Sequence, residues 1–98
     1  MFTVALRRHL DDDIYRALQV ALLLRPSQGP LIQGGAGLRK LRWATRGRGK
    51  RGGVRLIYYW EPESQTFYML YLYAKNEQGD LTSDQLKVLA KLVREEFI

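Results

Sequence analysis

The sequence predicts an α+β fold, a small antiparallel sheet of about three strands with two N-terminal helices and one C-terminal helix. Two stretches, Ile14 to Leu24 and Ser83 to about Phe97, repeat apolar residues at helical spacing. Three others, Leu38 to Ala44, Val54 to Trp60 and Phe67 to Lys75, have the apolar and aromatic content of strands. Glycine, proline and polar clusters separate them. With 98 residues the chain is bounded to one domain, expected over 1–98. A chain of this size hides roughly 60 to 68% of its unfolded surface, enough for one sheet and a few helices.

Each element has a local reason. In Met1 to Leu10, Phe2, Leu6 and Leu10 recur at helical spacing while Phe2, Val4 and Leu6 alternate as in a strand. The helix is the preferred assignment. Asp11, Asp12 and Asp13 then supply a cap and negative charge for the second helix, where Ile14, Ala17, Leu18, Ala21 and Leu22 share a face. Pro26, Gly29 and Pro30 stop it, and Ser27 to Gly37 reads as a turn-rich loop. The first strand alternates Leu41 and Trp43 with Lys40 and Arg42, a half-basic pattern that suits an edge. The second and third, joined by a short turn around Glu61 to Thr66, read as a meander. Leu56, Tyr58, Leu70 and Leu72 are expected on one face; Arg55, Ile57, Tyr59, Tyr71, Tyr73 and Lys75 on the other. Thr82 and Gln85 have capping-box spacing, with Leu81 and Leu86 as a hydrophobic staple. The C-terminal helix then places Leu86, Leu89, Ala90, Val93 and Phe97 on one face.

Charge is the first functional clue. The net charge is +6, and eight basic residues (Arg39, Lys40, Arg42, Arg46, Arg48, Lys50, Arg51, Arg55) fall between positions 39 and 55, where no acid occurs. The other eight basic residues stand against all ten acidic ones, which leaves the rest of the chain at −2. A near-neutral body with one positive segment is the footprint of a polyanion partner; a solvated basic loop is the plainer alternative. Gly47, Gly49, Gly52 and Gly53 interleave with Arg46, Arg48, Lys50 and Arg51. Glycines permit close backbone approach, and guanidinium groups fork onto phosphate oxygens, so this segment and Arg42 are candidate phosphate contacts. The segment matches neither a dinucleotide-binding nor a Walker pattern. Tyr58, Tyr59, Trp60, Tyr68, Tyr71 and Tyr73 lie close by in sequence. Such rings can stack on unpaired bases, which favours single-stranded RNA over duplex DNA, and they also serve as ordinary strand core.

Other chemistries are excluded by composition. There is no cysteine and one histidine, His9, so thiol catalysis, disulfide scaffolds, zinc sites and histidine triads are not expected, and neither a metal nor a cofactor is called for. No apolar run approaches the roughly 20 residues of a membrane helix, and the start lacks the pattern of a signal peptide. No membrane partner is expected, and the expected compartment is the cytoplasm. Catalysis, if present, rests on Arg, Lys or Tyr. That suffices for RNA cleavage, where the 2′-hydroxyl is a built-in nucleophile, positioned cations stabilise the phosphate, and a Lys can act as base if its pKa is lowered.

The run Gly37-Leu38-Arg39-Lys40-Leu41-Arg42-Trp43-Ala44, then Gly47-Arg48-Gly49-Lys50-Arg51-Gly52-Gly53-Val54-Arg55-Leu56-Ile57-Tyr58-Tyr59, then Tyr73-Ala74-Lys75-Asn76-Glu77 and the C-terminal helix resembles the RelE/HigB superfamily of bacterial toxin–antitoxin ribonucleases, in its HigB-like branch. The likeness spans about Asp11 to Phe97. It implies a toxin that enters the ribosomal A site, beside ribosomal RNA, and cuts mRNA there. It also implies a cognate HigA-like antitoxin that silences it in a toxin–antitoxin hetero-oligomer. By motif position it implies that Arg55 stabilises the transition-state phosphate. Lys50 and Arg51, with Arg48, grip the RNA backbone or assist proton transfer, and Lys75 and Asn76 approach from the end of the third strand. Arg42, Arg46 and Tyr73 complete the expected RNA contacts.

Two departures limit the transfer. RelE-type members place a tyrosine shortly after the third-strand motif where this chain has Leu81, so no tyrosine base carries over. HigB-like toxins also carry a strand ahead of the first helix, for which this sequence offers no segment. That strand is dispensable, replaced by another chain, or encoded upstream, and strand addition to an open sheet edge follows as an expectation. Two rival functions share these features. One is a ParE-like toxin that inhibits DNA gyrase, and the other a noncatalytic RNA-binding, ribosome-associated module.

Overall fold

A computed structural model describes residues 12–44 and 53–97 of the chain. The order is α1 (Asp12–Leu24), β1 (Arg39–Trp43), β2 (Val54–Glu61), β3 (Thr66–Ala74) and α2 (Ser83–Glu96). The three strands form one antiparallel sheet in the order β1-β2-β3, the expected meander, with β2 central. Two helices are present among the described residues where the sequence predicts three. The helix predicted over Met1 to Leu10 lies outside them.

One helix packs on each face of the sheet. Leu18 and Leu22 of α1 are fully buried against Leu41, Val54, Leu56, Tyr58 and Leu72, and each such leucine contributes roughly 1.5–3 kcal/mol over an exposed one. Ala17, expected on this face, is exposed; the contact is made by Leu18 and Leu22 one turn apart, with Ile14 and Tyr15 half-buried beside them. On the other face Val93 of α2 packs with Ile57 and Tyr73. Leu86, Leu89 and Phe97 are half-buried around them, and Leu38, Ile32 and Ala36 close the side from the loop before β1.

The sheet departs from simple alternation at one point. Ile57 faces Tyr71, but Tyr58 faces Met69, so Leu70 is an extra residue and β3 carries a β-bulge. Beyond it the parity of β3 reverses. Leu70 packs with the α2 side and not, as expected, with Leu56, Tyr58 and Leu72, while Met69 and Phe67 turn to the α1 side. The bulge also places Tyr68 on the α2 side beside Tyr59, where both meet the Phe97 ring, at centroid distances of 4.2 Å for Tyr68 and 5.1 Å for Tyr59.

The head of α2 is fixed as its spacing predicts. Thr82 caps the helix by accepting from the Gln85 N–H, and the Gln85 side chain accepts from the Thr82 N–H at 2.9 Å. The same Gln85 carboxamide donates to the Tyr71 hydroxyl at 3.0 Å and accepts from Gln78 Nε2 at 2.6 Å. Gln78 Nε2 also donates to the Asp80 carbonyl at 2.9 Å. The β3–α2 connection is therefore tied to both elements it joins.

Candidate active site

Because residues directly opposite on antiparallel strands share a face, Arg42 opposite Arg55, Arg55 opposite Tyr73, and Lys40 opposite Ile57 all project to the α2 side of the sheet. On that side a cleft of about 500 Å³ is lined by Lys40, Arg42, Arg55, Tyr73, Lys75, Gly79 and Asp80. Four of the seven are cations and one is an acid.

Arg55 is the most enclosed of the four cations, 5% exposed in the central strand. Burying a guanidinium is costly unless it is hydrogen-bonded. One of its bonds runs from Nη1 to the Val54 carbonyl at 3.3 Å. Lys40 and Arg42 stand on the β1 rim, and Lys75 follows the last residue of β3, its ammonium donating to the Gly79 carbonyl at 2.6 Å.

Tyr73 lies between Arg55 and the β3–α2 connection and is 4% exposed. Its hydroxyl reaches Asp80 Oδ1 at 3.5 Å. Burial above all, reinforced by the Asp80 carboxylate, pushes its pKa up to about 12, against the opposing pull of Arg55. At neutral pH Tyr73 is therefore a hydrogen-bond donor and not a base. Asp80 moves the other way. The Leu81 N–H, at 2.8 Å, and Lys40 Nζ, at 3.2 Å, hold its carboxyl below the usual carboxylate value.

The structure thus brings together four of the predicted site residues, Arg42, Arg55, Tyr73 and Lys75. Asn76 is exposed in the turn after β3 and does not line the cleft. Arg46, Arg48, Lys50 and Arg51 lie outside the described residues. Their segment leaves the sheet after Ala44 and returns at Gly53, at the end of the β1–β2 pair that carries Arg42 and Arg55. Gly53 permits that return because a Cβ there would stand 2.0 Å from the Trp43 carbonyl oxygen. The Gly53 carbonyl accepts from Lys75 N–H at 3.0 Å, so this backbone also seats Lys75.

Three cleft residues, Lys40, Gly79 and Asp80, are absent from the sequence-based site. Lys40 has the parity of Arg42 on β1, a signal that could have included it. Asp80 reaches Lys40 across 40 positions, and nothing local announces that contact.

Of the two readings open to the strand aromatics, base stacking or ordinary core, the packing follows the second. Tyr58 is fully buried, accepting from the Gly29 N–H at 3.1 Å and donating to the Pro26 carbonyl at 2.9 Å, and so pins the loop before β1 to the sheet. Trp60 packs on Phe67 with centroids 4.5 Å apart, and Tyr59 and Tyr68 are taken up by Phe97. Strand aromatics satisfy the core first. Among the described aromatic residues, Tyr73 alone lines the cleft.

The arrangement gathers one enclosed guanidinium, three further cations, one carboxylate and one protonated phenol, a net positive charge suited to an anion. A family model described as the RelE toxin of the RelE/RelB toxin-antitoxin system matches residues 11–97 of the chain.

Proposed function

This chain belongs to the RelE toxin family of toxin–antitoxin systems, and we propose that it is a ribosome-dependent endoribonuclease of the HigB-like branch, cutting mRNA in the ribosomal A site until a HigA-like antitoxin silences it. The observation that carries this reading is the enclosure of Arg55, 5% exposed, in a cleft framed by Lys40, Arg42 and Lys75. A cation held in place before the substrate arrives needs no reorganisation as charge develops on a phosphate.

In this reading the 2′-oxygen attacks the adjacent phosphorus. The new 2′-oxygen–phosphorus bond forms as the phosphorus–5′-oxygen bond breaks, leaving a 2′,3′-cyclic phosphate and a 5′-hydroxyl. Arg55 neutralises the charge building on the non-bridging oxygens. Arg42 and Lys40 hold the backbone on the β1 side and Lys75 on the β3 side. Lys50, with Arg48 and Arg51, belongs to the segment between β1 and β2. It is the residue assigned to proton transfer, since Tyr73 stays protonated and donates. Arg46 extends the same backbone contact.

Primer extension on a defined mRNA in a reconstituted translation reaction tests the reading, run beside a ribosome-free control and an mRNA with a single 2′-deoxynucleotide at the mapped cut. Cuts that require ribosomes and disappear at the 2′-deoxy position are expected. Intact mRNA with the protein bound to ribosomes overturns it in favour of a noncatalytic binder. DNA breaks with intact transcripts overturn it in favour of gyrase inhibition.

A further inference from the structure

Among the described residues Asp80 is the one acid lining the cleft. In a site for a polyanion a carboxylate repels the ligand, so its presence asks for a compensating task. Stability is a poor candidate for that task, because the Asp80 side chain is 73% exposed and that of Lys40 32%, and exposed ion pairs add little. Geometry supplies a better one. A single oxygen, Oδ1, collects three donors from three parts of the fold: Lys40 Nζ from β1 at 3.2 Å, the Tyr73 hydroxyl from β3 at 3.5 Å, and the Leu81 N–H ahead of α2 at 2.8 Å. The last bond fixes the carboxylate to a backbone that the Gln78 and Gln85 network already holds. Lysine is otherwise a flexible point charge on a long stem. Here its ammonium is moored to a rigid point in the cleft that contains Arg55.

We infer that Asp80 is a positioning residue for RNA cleavage, acting through Lys40: it sets where the Lys40 ammonium meets the scissile phosphate, at the cost of a weaker attraction of the cleft for RNA. The inference rests on the ribonuclease reading above, and it predicts a signature that loss of structure does not give. In Asp80→Asn the side-chain oxygen still accepts from the Leu81 N–H, so the loop keeps its anchor, but the charge that moors Lys40 is gone. RNA then binds more tightly, because one negative charge has left the cleft, while turnover falls because Lys40 is no longer held.

Single-turnover cleavage of ribosome-bound mRNA by wild type, Asp80→Asn, Lys40→Ala and the double variant tests this. Asp80→Asn is expected to lower kcat roughly ten- to a hundredfold, the scale of a small misplacement of a reacting group, with a lower KM. In the Lys40→Ala background the same change is expected to have no further effect on kcat, because the residue it acts through is already missing. Wild-type kcat in Asp80→Asn, a raised KM, or additive losses in the double variant overturn the inference while leaving the ribonuclease reading in place. An inert wild type overturns that reading and the inference with it. If Asp80→Asn fails to fold by circular dichroism, Lys40→Ala decides alone: reduced kcat is expected, and unchanged kcat overturns the inference.

Discussion

Arg42 on β1 stands directly opposite Arg55 on β2, two like charges paired across an antiparallel ladder. Such pairs destabilise a sheet by roughly 0.2–1 kcal/mol relative to neutral ones. An anion lying between them would relieve that repulsion. On the proposed ribonuclease reading, stability and RNA binding are set against each other at this position.

Arg42→Thr makes that opposition measurable. Threonine suits an edge strand, and its introduction removes the like-charge pair, so urea unfolding is expected to show a gain of up to about 1 kcal/mol. Single-stranded RNA binding is expected to weaken, with the slope of log affinity against log salt reduced by about 0.7 for one lost phosphate contact. A loss of stability, or an unchanged salt slope, would contradict this account of Arg42.

Tyr73 gives the fold an alkaline limit. Its folded pKa, about 12, lies above the ordinary 10.0, chiefly because burial disfavours the phenolate. Below the ordinary value both folded and unfolded chains keep the proton, and this contribution to stability is fully present. Between the two values the unfolded chain releases its proton first, so the contribution is lost as pH rises through the folded value. Thermal melts over this window are expected to fall less steeply in Tyr73→Phe than in wild type. A residual slope should remain from Tyr58, whose pKa burial also raises. Equal slopes in the two proteins would mean that the Tyr73 hydroxyl is not held protonated by the fold.

Gly53 has no room for a side chain. With its prospective Cβ 2.0 Å from the Trp43 carbonyl oxygen, Gly53→Ala must part the ends of β1 and β2. Overpacking of this kind costs roughly 1–3 kcal/mol. Because the Gly53 carbonyl also receives the Lys75 N–H, cleavage is expected to drop alongside the melting temperature. An alanine variant with wild-type stability would show that the backbone here yields freely.

Much of the fold was legible because its signals are local. The capping box at Thr82 and Gln85, the acids at Asp12 and Asp13, and the glycines that stop and turn the chain each act over a few residues, and each lies where expected. The bulge at Leu70 was not legible. Alternation alone cannot register an extra residue in one strand, and the reversal of Met69 and Leu70 depends on which partners the opposite strand and α2 supply. The site divides in the same way. Arg42, Arg55, Tyr73 and Lys75 follow from strand parity once the register is known. Asp80 meets Lys40 and Tyr73 through tertiary contacts that no local pattern announces, and the aromatic rings were drawn into the core by Phe97 and Phe67, residues remote from the basic run.

The most direct test of the central claim separates chemistry from binding at Arg55. Single-turnover cleavage of ribosome-bound mRNA by wild type and Arg55→Ala would be measured beside the Kd of each protein for ribosomes. A cation aimed at the transition state predicts a fall in cleavage rate of roughly 10² to 10³, with Kd changed only modestly. Parallel loss of binding and rate, or cleavage that survives the substitution, would contradict the claim that the enclosed arginine is the centre of the reaction.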